Sequence, residues 1–100
     1  MNLEKINTFI SLARKGRRIE IGKTAVEILL KRKRAHLVII AADASDKLTS
    51  EIKNESLRRN VSVYIFSTKN DLGKLCGRDE VATLAISDQN LATEIKRQLL

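Results

Sequence analysis

Leu37-Val38-Ile39-Ile40-Ala41 decides the fold class of this 100-residue chain. The run is continuous, apolar and rich in β-branched side chains. It lacks the polar alternate positions of a strand wetted on one side, so it suits a strand covered on both faces. Such a strand needs helices above and below its sheet, and the flanking sequence must supply them.

Reading outward toward the N-terminus, Gly22-Lys23-Thr24 opens a helix bearing Val26, Ile28, Leu29 and Leu30 and ending in Lys31-Arg32-Lys33-Arg34. Before it, Arg18 to Ile21 alternates polar and apolar residues like a half-buried strand. Leu3, Ile6, Phe9, Ile10 and Ala13 recur at helical spacing, with Gly16 as the stop. Toward the C-terminus, Asp43 to Asp46 leads into a helix over Lys47 to Asn60 that turns Leu48, Ile52 and Leu57 inward. Val61 to Phe66 is a strand with Tyr64 and Phe66 in or near the core. Ser67 or Thr68 caps a fourth helix, with Asp71 three residues after Thr68 and Gly77 closing it in the left-handed conformation. Gly73 lies inside that helix at a cost of about 0.5–1 kcal/mol relative to alanine, which implies close approach by a neighbouring element or ligand. Val81 to Ile86 is the last strand, and Ser87 or Asp88 caps a helix that buries Leu91, Ile95 and Leu99. Strands alternating with helices predict an α/β protein, a three-layer α/β/α sandwich on a four-stranded mixed sheet, with residues 1–100 as a single domain.

Charge is distributed less evenly than hydrophobicity. Nine of the nineteen basic residues fall between Arg14 and Arg34, where Glu20 and Glu27 are the only acids, so this stretch carries +7 and the remainder is neutral. Charge gathered at one address builds a field that draws in polyanions. One cysteine, Cys76, excludes an internal disulfide framework, and one histidine, His36, leaves too few soft ligands for an ordinary zinc site. No cofactor is expected. There is no apolar run of spanning length and no secretory leader pattern, so the expected location is the cytoplasm, away from membranes.

Several residues now stand out in order: Leu12-Ala13-Arg14-Lys15-Gly16, Gly22, Leu37 to Ala41 followed by Asp43-Ala44-Ser45, and Asp71-Leu72-Gly73-Lys74 with Gly77. With this ordered set the chain resembles the ribosomal L-seven-Ae and L-thirty-e superfamily, and most closely its small bacterial YlxQ-like branch. The resemblance implies the α/β/α sandwich and RNA binding, typically to kink-turns. It also implies an RNA surface made by the N-terminus of the second helix and the loop after the fourth, here Gly22 to Thr24 and Gly77 to Val81. Kink-turn readers of the best-known type carry Asn, Glu and Lys at positions that are Thr24, Ala25 and Ile28 in this chain. Of that motif only Gly22 matches.

Physical chemistry points to the same place. A helix N-terminus offers free N–H groups and the positive end of a dipole, and Lys23 and the Thr24 hydroxyl add donors. Arg14, Lys15, Arg17 and Arg18 precede Gly22 closely and are expected to surround it. Lys74 and Arg78 are candidate backbone contacts, against the simpler readings of an exposed lysine and an arginine neutralised by Asp79 and Glu80. Lys31 to Arg34 either match the negative end of their helix or form a second phosphate contact. About eleven residues at about 1.5 Å each separate them from Lys23, so the two groups cannot share a phosphate. Gly22-Lys23-Thr24 fails as a nucleotide-binding loop because the required first glycine is Arg17. His36 and Cys76 lack catalytic partners in sequence, and Asp43 is expected to fix a loop or cap a helix.

The expectation is therefore a non-catalytic, monomeric RNA-binding protein, ribosome-associated, with ribosomal or assembly-factor proteins as further partners. A module docking an acidic protein through the same basic face is the alternative.

Overall fold

In the computed structural model, which describes residues 1–100, helix α1 (Leu3–Lys15) leads to strand β1 (Ile19–Ile21) and helix α2 (Lys23–Lys31). Strand β2 (Leu37–Ile40), helix α3 (Asp46–Arg58) and strand β3 (Val63–Ile65) follow. Helix α4 (Lys69–Cys76), strand β4 (Thr83–Ile86) and helix α5 (Gln89–Leu99) complete the chain. The strand order is β1-β4-β2-β3. β2 and β3 are parallel, and β4 lies antiparallel between β1 and β2, with Val38 and Glu20 both opposite Ala85. The expected mixed four-stranded sheet is thus present.

The two chain segments β1-α2-β2 and β2-α3-β3 advance across the sheet in one direction. Right-handed crossovers taken in one direction place their helices on one face. Accordingly Val26, Leu29 and Leu30 of α2 and Ile52 of α3 pack together on Val38, Ile40 and Ala85. The connection through α4 runs back, and α4 joins α1 and α5 on the other face. There Ile6, Ile10, Leu72 and Ile95 cover Leu37, Ile39, Leu84 and Ile86. All four residues of β2 are buried, as the continuous apolar run requires.

Local signals place most helix ends. Asn2, Ser45, Thr68 and Asp88 each accept a backbone N–H in the first turn of α1, α3, α4 and α5. Thr68 and Asp88, rather than Ser67 and Ser87, are the caps, and the Ser45 cap starts α3 at Asp46. The strands proposed over Val61 to Phe66 and Val81 to Ile86 are shorter, at three and four residues. Leu57 does not face inward: it is 68% exposed. Ile52 and Ser56, four apart, define the buried face of α3, and Leu57 stands about 100° around the helix from Ser56. No helix is long and apolar enough to cross a membrane.

Four helices close with the same hydrogen-bond pattern, in which the chain turns through a left-handed residue and the next N–H returns to a carbonyl five back. Arg18, Arg34, Val61 and Arg78 donate to Ala13, Leu29, Ser56 and Gly73 at 2.7, 3.1, 2.9 and 2.8 Å. The left-handed residue is Gly77 in α4, but it is Arg17 after α1, Lys33 after α2 and Asn60 after α3, at φ of 57 to 59°. Holding a residue with a side chain there costs about 1–2 kcal/mol.

Gly73 explains itself. A Cβ at this position would lie 2.6 Å from the Asp79 carbonyl oxygen and 2.7 Å from that of Arg78. The chain after α4 folds back along its own helix, and only a bare Cα leaves room. Gly73→Ala gains about 1 kcal/mol of helix propensity but forces backbone apart at a cost of about 1–3 kcal/mol. We expect a net loss of stability, read as a lower denaturation midpoint, together with displaced amide resonances across residues 78–81.

Candidate nucleic-acid interface

The sheet has two ends of opposite character. Strands β1, β2 and β3 finish at the end where β4 begins, so the segments that follow them converge there. Gly22 N–H donates to Thr83 O at 2.9 Å, and Ala41 N–H donates to Ala82 O at 2.8 Å. The N-terminus of α2 therefore stands beside Ala82 and Thr83, where the segment from α4 enters β4, whereas Gly77 at the start of that segment lies against Arg14 of α1. Asp43 Oδ1 receives the Lys69 N–H at 2.8 Å and ties the loop after β2 to the start of α4, the loop-fixing role expected of it.

Gly22 has φ 96° and ψ 158°, a conformation that disfavours any side chain, and a Cβ there would meet nothing within 4 Å. The backbone in front of α2 is thus open. α2 is also the helix that begins without a side-chain cap, so Thr24, exposed at its first turn, does not cap it. The donors at this end are available to an anion.

Lys23 is the one basic residue of the Arg14–Arg34 stretch held in ion pairs. Its Nζ lies 2.6 Å from Glu51 of α3 and 3.6 Å from Glu27, one turn along α2. The hydrogen bond to Glu51 raises the Lys23 pKa, with Glu27 adding to it, and the same bond lowers that of Glu51. Sequence spacing discloses Glu27 as an i,i+4 partner. Glu51 belongs to another helix and gives no such signal.

The other candidates are scattered by the fold. The Arg14 guanidinium lies against the bare Cα of Gly77, in its left-handed conformation, and with Arg78 it faces Cys76. Arg78 is exposed and free of ion pairs, since Glu80 pairs instead with Lys69 at 3.9 Å. Cys76 is buried, and burial pushes its thiol pKa up against the pull of both arginines. Lys15 lies on the outer face of α1, and Lys74 borders a groove with Leu3 and Ile65. Arg17 and Arg18 do not surround Gly22. They precede β1 and Gly22 follows it, so about 3.3 Å of rise per residue sets Arg18 and Gly22 roughly 13 Å apart at opposite ends of the sheet. Nearness in sequence misleads here because an extended strand intervenes. Arg17 and Arg18 instead share a groove of about 440 Å3 with Arg32 and Arg34.

A family model described as the ribosomal protein L7Ae/L30e/S12e/Gadd45 family matches residues 4–96. The chain belongs to this family. It is 35% identical over 89 residues to the large ribosomal subunit protein eL30 of Candida albicans, covering 87% of this chain and 84% of the relative. Identity is also 35% to eL30 of Spodoptera frugiperda, over 86% of the chain and 78% of the relative. A Bacillus halodurans protein of unknown function superposes with a TM-score of 0.90 at 18% identity, covering 93% of this chain and 94% of that one. A 15.5 kD RNA binding protein of Giardia lamblia superposes with a TM-score of 0.79 at 24% identity, over 96% and 84%. Both share the α/β/α sandwich.

Within the family fold, the lysine at the open end of α2 is engaged by carboxylates. Both partners are partly exposed, so the pair is worth little to stability. That contribution exists above the ordinary carboxylate range and is lost as pH falls through the lowered Glu51 pKa. Glu51→Gln should return the Lys23 pKa toward its ordinary value, seen by NMR titration of its side chain. Glu27→Gln should do so less, and the reverse ranking would reassign the dominant partner.

Proposed function

We propose that this protein binds structured RNA as part of, or during assembly of, a ribonucleoprotein in the cytoplasm, and that it performs no chemistry. The binding surface is the N-terminus of α2 with the segment Gly77 to Val81, supported by Lys23, Thr24 and Arg78, with Arg14 against Gly77; Lys74 lies apart, in a groove with Leu3 and Ile65. The observation that carries this reading is an uncapped, open helix N-terminus hydrogen-bonded beside Thr83, where the segment from Gly77 enters β4, in a chain belonging to a ribosomal protein family. Relatives of eL30 type and an RNA binding protein of the same fold support the class of ligand.

With Thr24, Ala25 and Ile28 where kink-turn readers have Asn, Glu and Lys, side chains of α2 supply little base recognition. Backbone donors and phosphate neutralisation then carry the affinity, and register comes from the shape of a bent backbone. Ion pairing of Lys23 with Glu51 sets a threshold: RNA phosphate must compete with a carboxylate already in place.

RNA recovered by crosslinking in cells is the material for the test. Its affinity should fall with salt at a slope of log K on log salt of roughly −4 to −6, for five to seven phosphates neutralised. Lys23→Glu should weaken binding and Glu51→Gln should strengthen it. Equal affinity for Lys23→Glu and the unaltered protein would displace the site. A protein partner that survives ribonuclease treatment of the lysate would favour docking of an acidic protein on the same basic face.

A further inference from the structure

We propose that the end of the sheet opposite Gly22 is a second RNA-backbone surface, formed by Arg17, Arg18, Arg32 and Arg34 with Lys33, so that one molecule holds two RNA segments. The inference rests on RNA being the ligand class proposed above, and it concerns the far end of a groove that reaches the first turn of α2 at Ala25. Ser87 N–H donates to Arg18 O at 2.8 Å, and His36 N–H donates to Ile86 O at 2.8 Å. The entrances to β1 and β2 thus flank the exit of β4. With neighbouring strands about 4.8 Å apart, the two basic segments enter the sheet roughly 10 Å from each other.

What distinguishes this surface is that four arginines line one groove without an ion pair. Lys23, Arg58, Arg59, Lys69 and Arg97 all lie within ion-pair distance of a carboxylate. Arg17, Arg18, Lys31, Arg32, Lys33 and Arg34 are exposed and have no such partner. Glu20 is the sole acid lining the groove that Arg17, Arg18, Arg32 and Arg34 share. Helix dipoles account for part of this: a cation in the last turn of α1 or α2 is favoured. They do not account for Arg18 or Arg34, which lie beyond the helix ends.

The backbone makes the same point. Arg17 and Lys33 occupy left-handed positions at φ 57°, where glycine closes helices at less cost. The chain thus retains basic side chains at two sites where glycine would be more stable. Four arginines suit phosphate in particular, because a guanidinium binds phosphate oxygens bidentately and desolvates more readily than an ammonium.

A short mixed-sequence RNA duplex without internal loops is the probe, read by fluorescence anisotropy between about 50 and 200 mM salt. The variant carrying Arg17→Gln, Arg32→Gln and Arg34→Gln should bind it at least tenfold more weakly at the lower salt. Its slope of log K on log salt should be shallower by about 3. The double variant Arg17→Gly, Lys33→Gly should melt at a higher temperature yet bind the duplex more weakly, separating lost charge from lost fold. Protein saturated with the crosslinked RNA should still take up the duplex. The inference is overturned if the triple variant keeps the original affinity and slope, if the two RNAs compete for one site, or if polyglutamate displaces the duplex at equal charge. Those results leave the α2 site standing, whereas an unaffected Lys23→Glu complex removes that site and leaves this one.

Discussion

Strand β4 hydrogen-bonds antiparallel to β1 on one side and to β2 on the other, and this double pairing organises the molecule. Because β4 enters where its neighbours end, Gly22 and Ala41 meet Thr83 and Ala82 at one edge, while Arg18, His36, Ile86 and Ser87 meet at the other. The registers leave little freedom. Ala85 faces the α2 and α3 layer with Val38 and Ile40, and Leu84 and Ile86 face the other layer with Leu37 and Ile39. A slip of one residue would exchange those sets and place Leu84 and Ile86 where the small Ala85 now fits. Thr83, fully buried at the start of β4, adds a hydroxyl bond to Ile39 O at 2.9 Å. That bond satisfies the one polar side-chain atom this register buries there.

Most of the fold was legible because it rests on local rules. The continuous run at Leu37 announced a doubly covered strand, and Thr68 with Asp71, and Gly77 with its left-handed φ, marked both ends of α4 as they stand in the structure. Gly73 was legible as a point of close approach, and the approaching atoms prove to be backbone of residues 78 and 79. Leu57 was misread because a helix of period 3.6 permits more than one apolar stripe in so polar a sequence. The buried Ser56 shows which stripe packing selected.

The candidate site was legible only in part, and the missing part is non-local. Gly22 could be named from the sequence, but its place beside Thr83 depends on β4 inserting between β1 and β2. Arg17 and Arg18 were grouped with Lys23 by nearness in the chain, and a three-residue strand carries them to the other edge. Glu51 was invisible for the same reason: its bond to Lys23 spans two helices that sit side by side only because both crossovers turn the same way. Charge composition points to a polyanion, and topology determines which basic residues share an edge of the sheet.

The two edges differ in what the backbone itself offers to an anion. At the Gly22 edge the backbone presents N–H groups and the positive end of α2, so a phosphate can be oriented there with few side chains. With Thr24, Ala25 and Ile28 in its first turns, α2 offers an anion mainly its backbone N–H groups. At the opposite edge α1, α2 and α3 all end, and their carbonyls repel phosphate. α5 begins at the same edge, but Asp88 caps its first turn, so the added positive charge there comes mainly from side chains. The unpaired arginines and lysines gathered there both offset the carbonyl ends and exceed what three helix dipoles require. A chain that places its excess charge where the backbone is least hospitable to anions, and holds two of those residues in left-handed positions, has overridden its local preferences. The physical return consistent with that cost is a surface that attracts phosphate from outside the molecule.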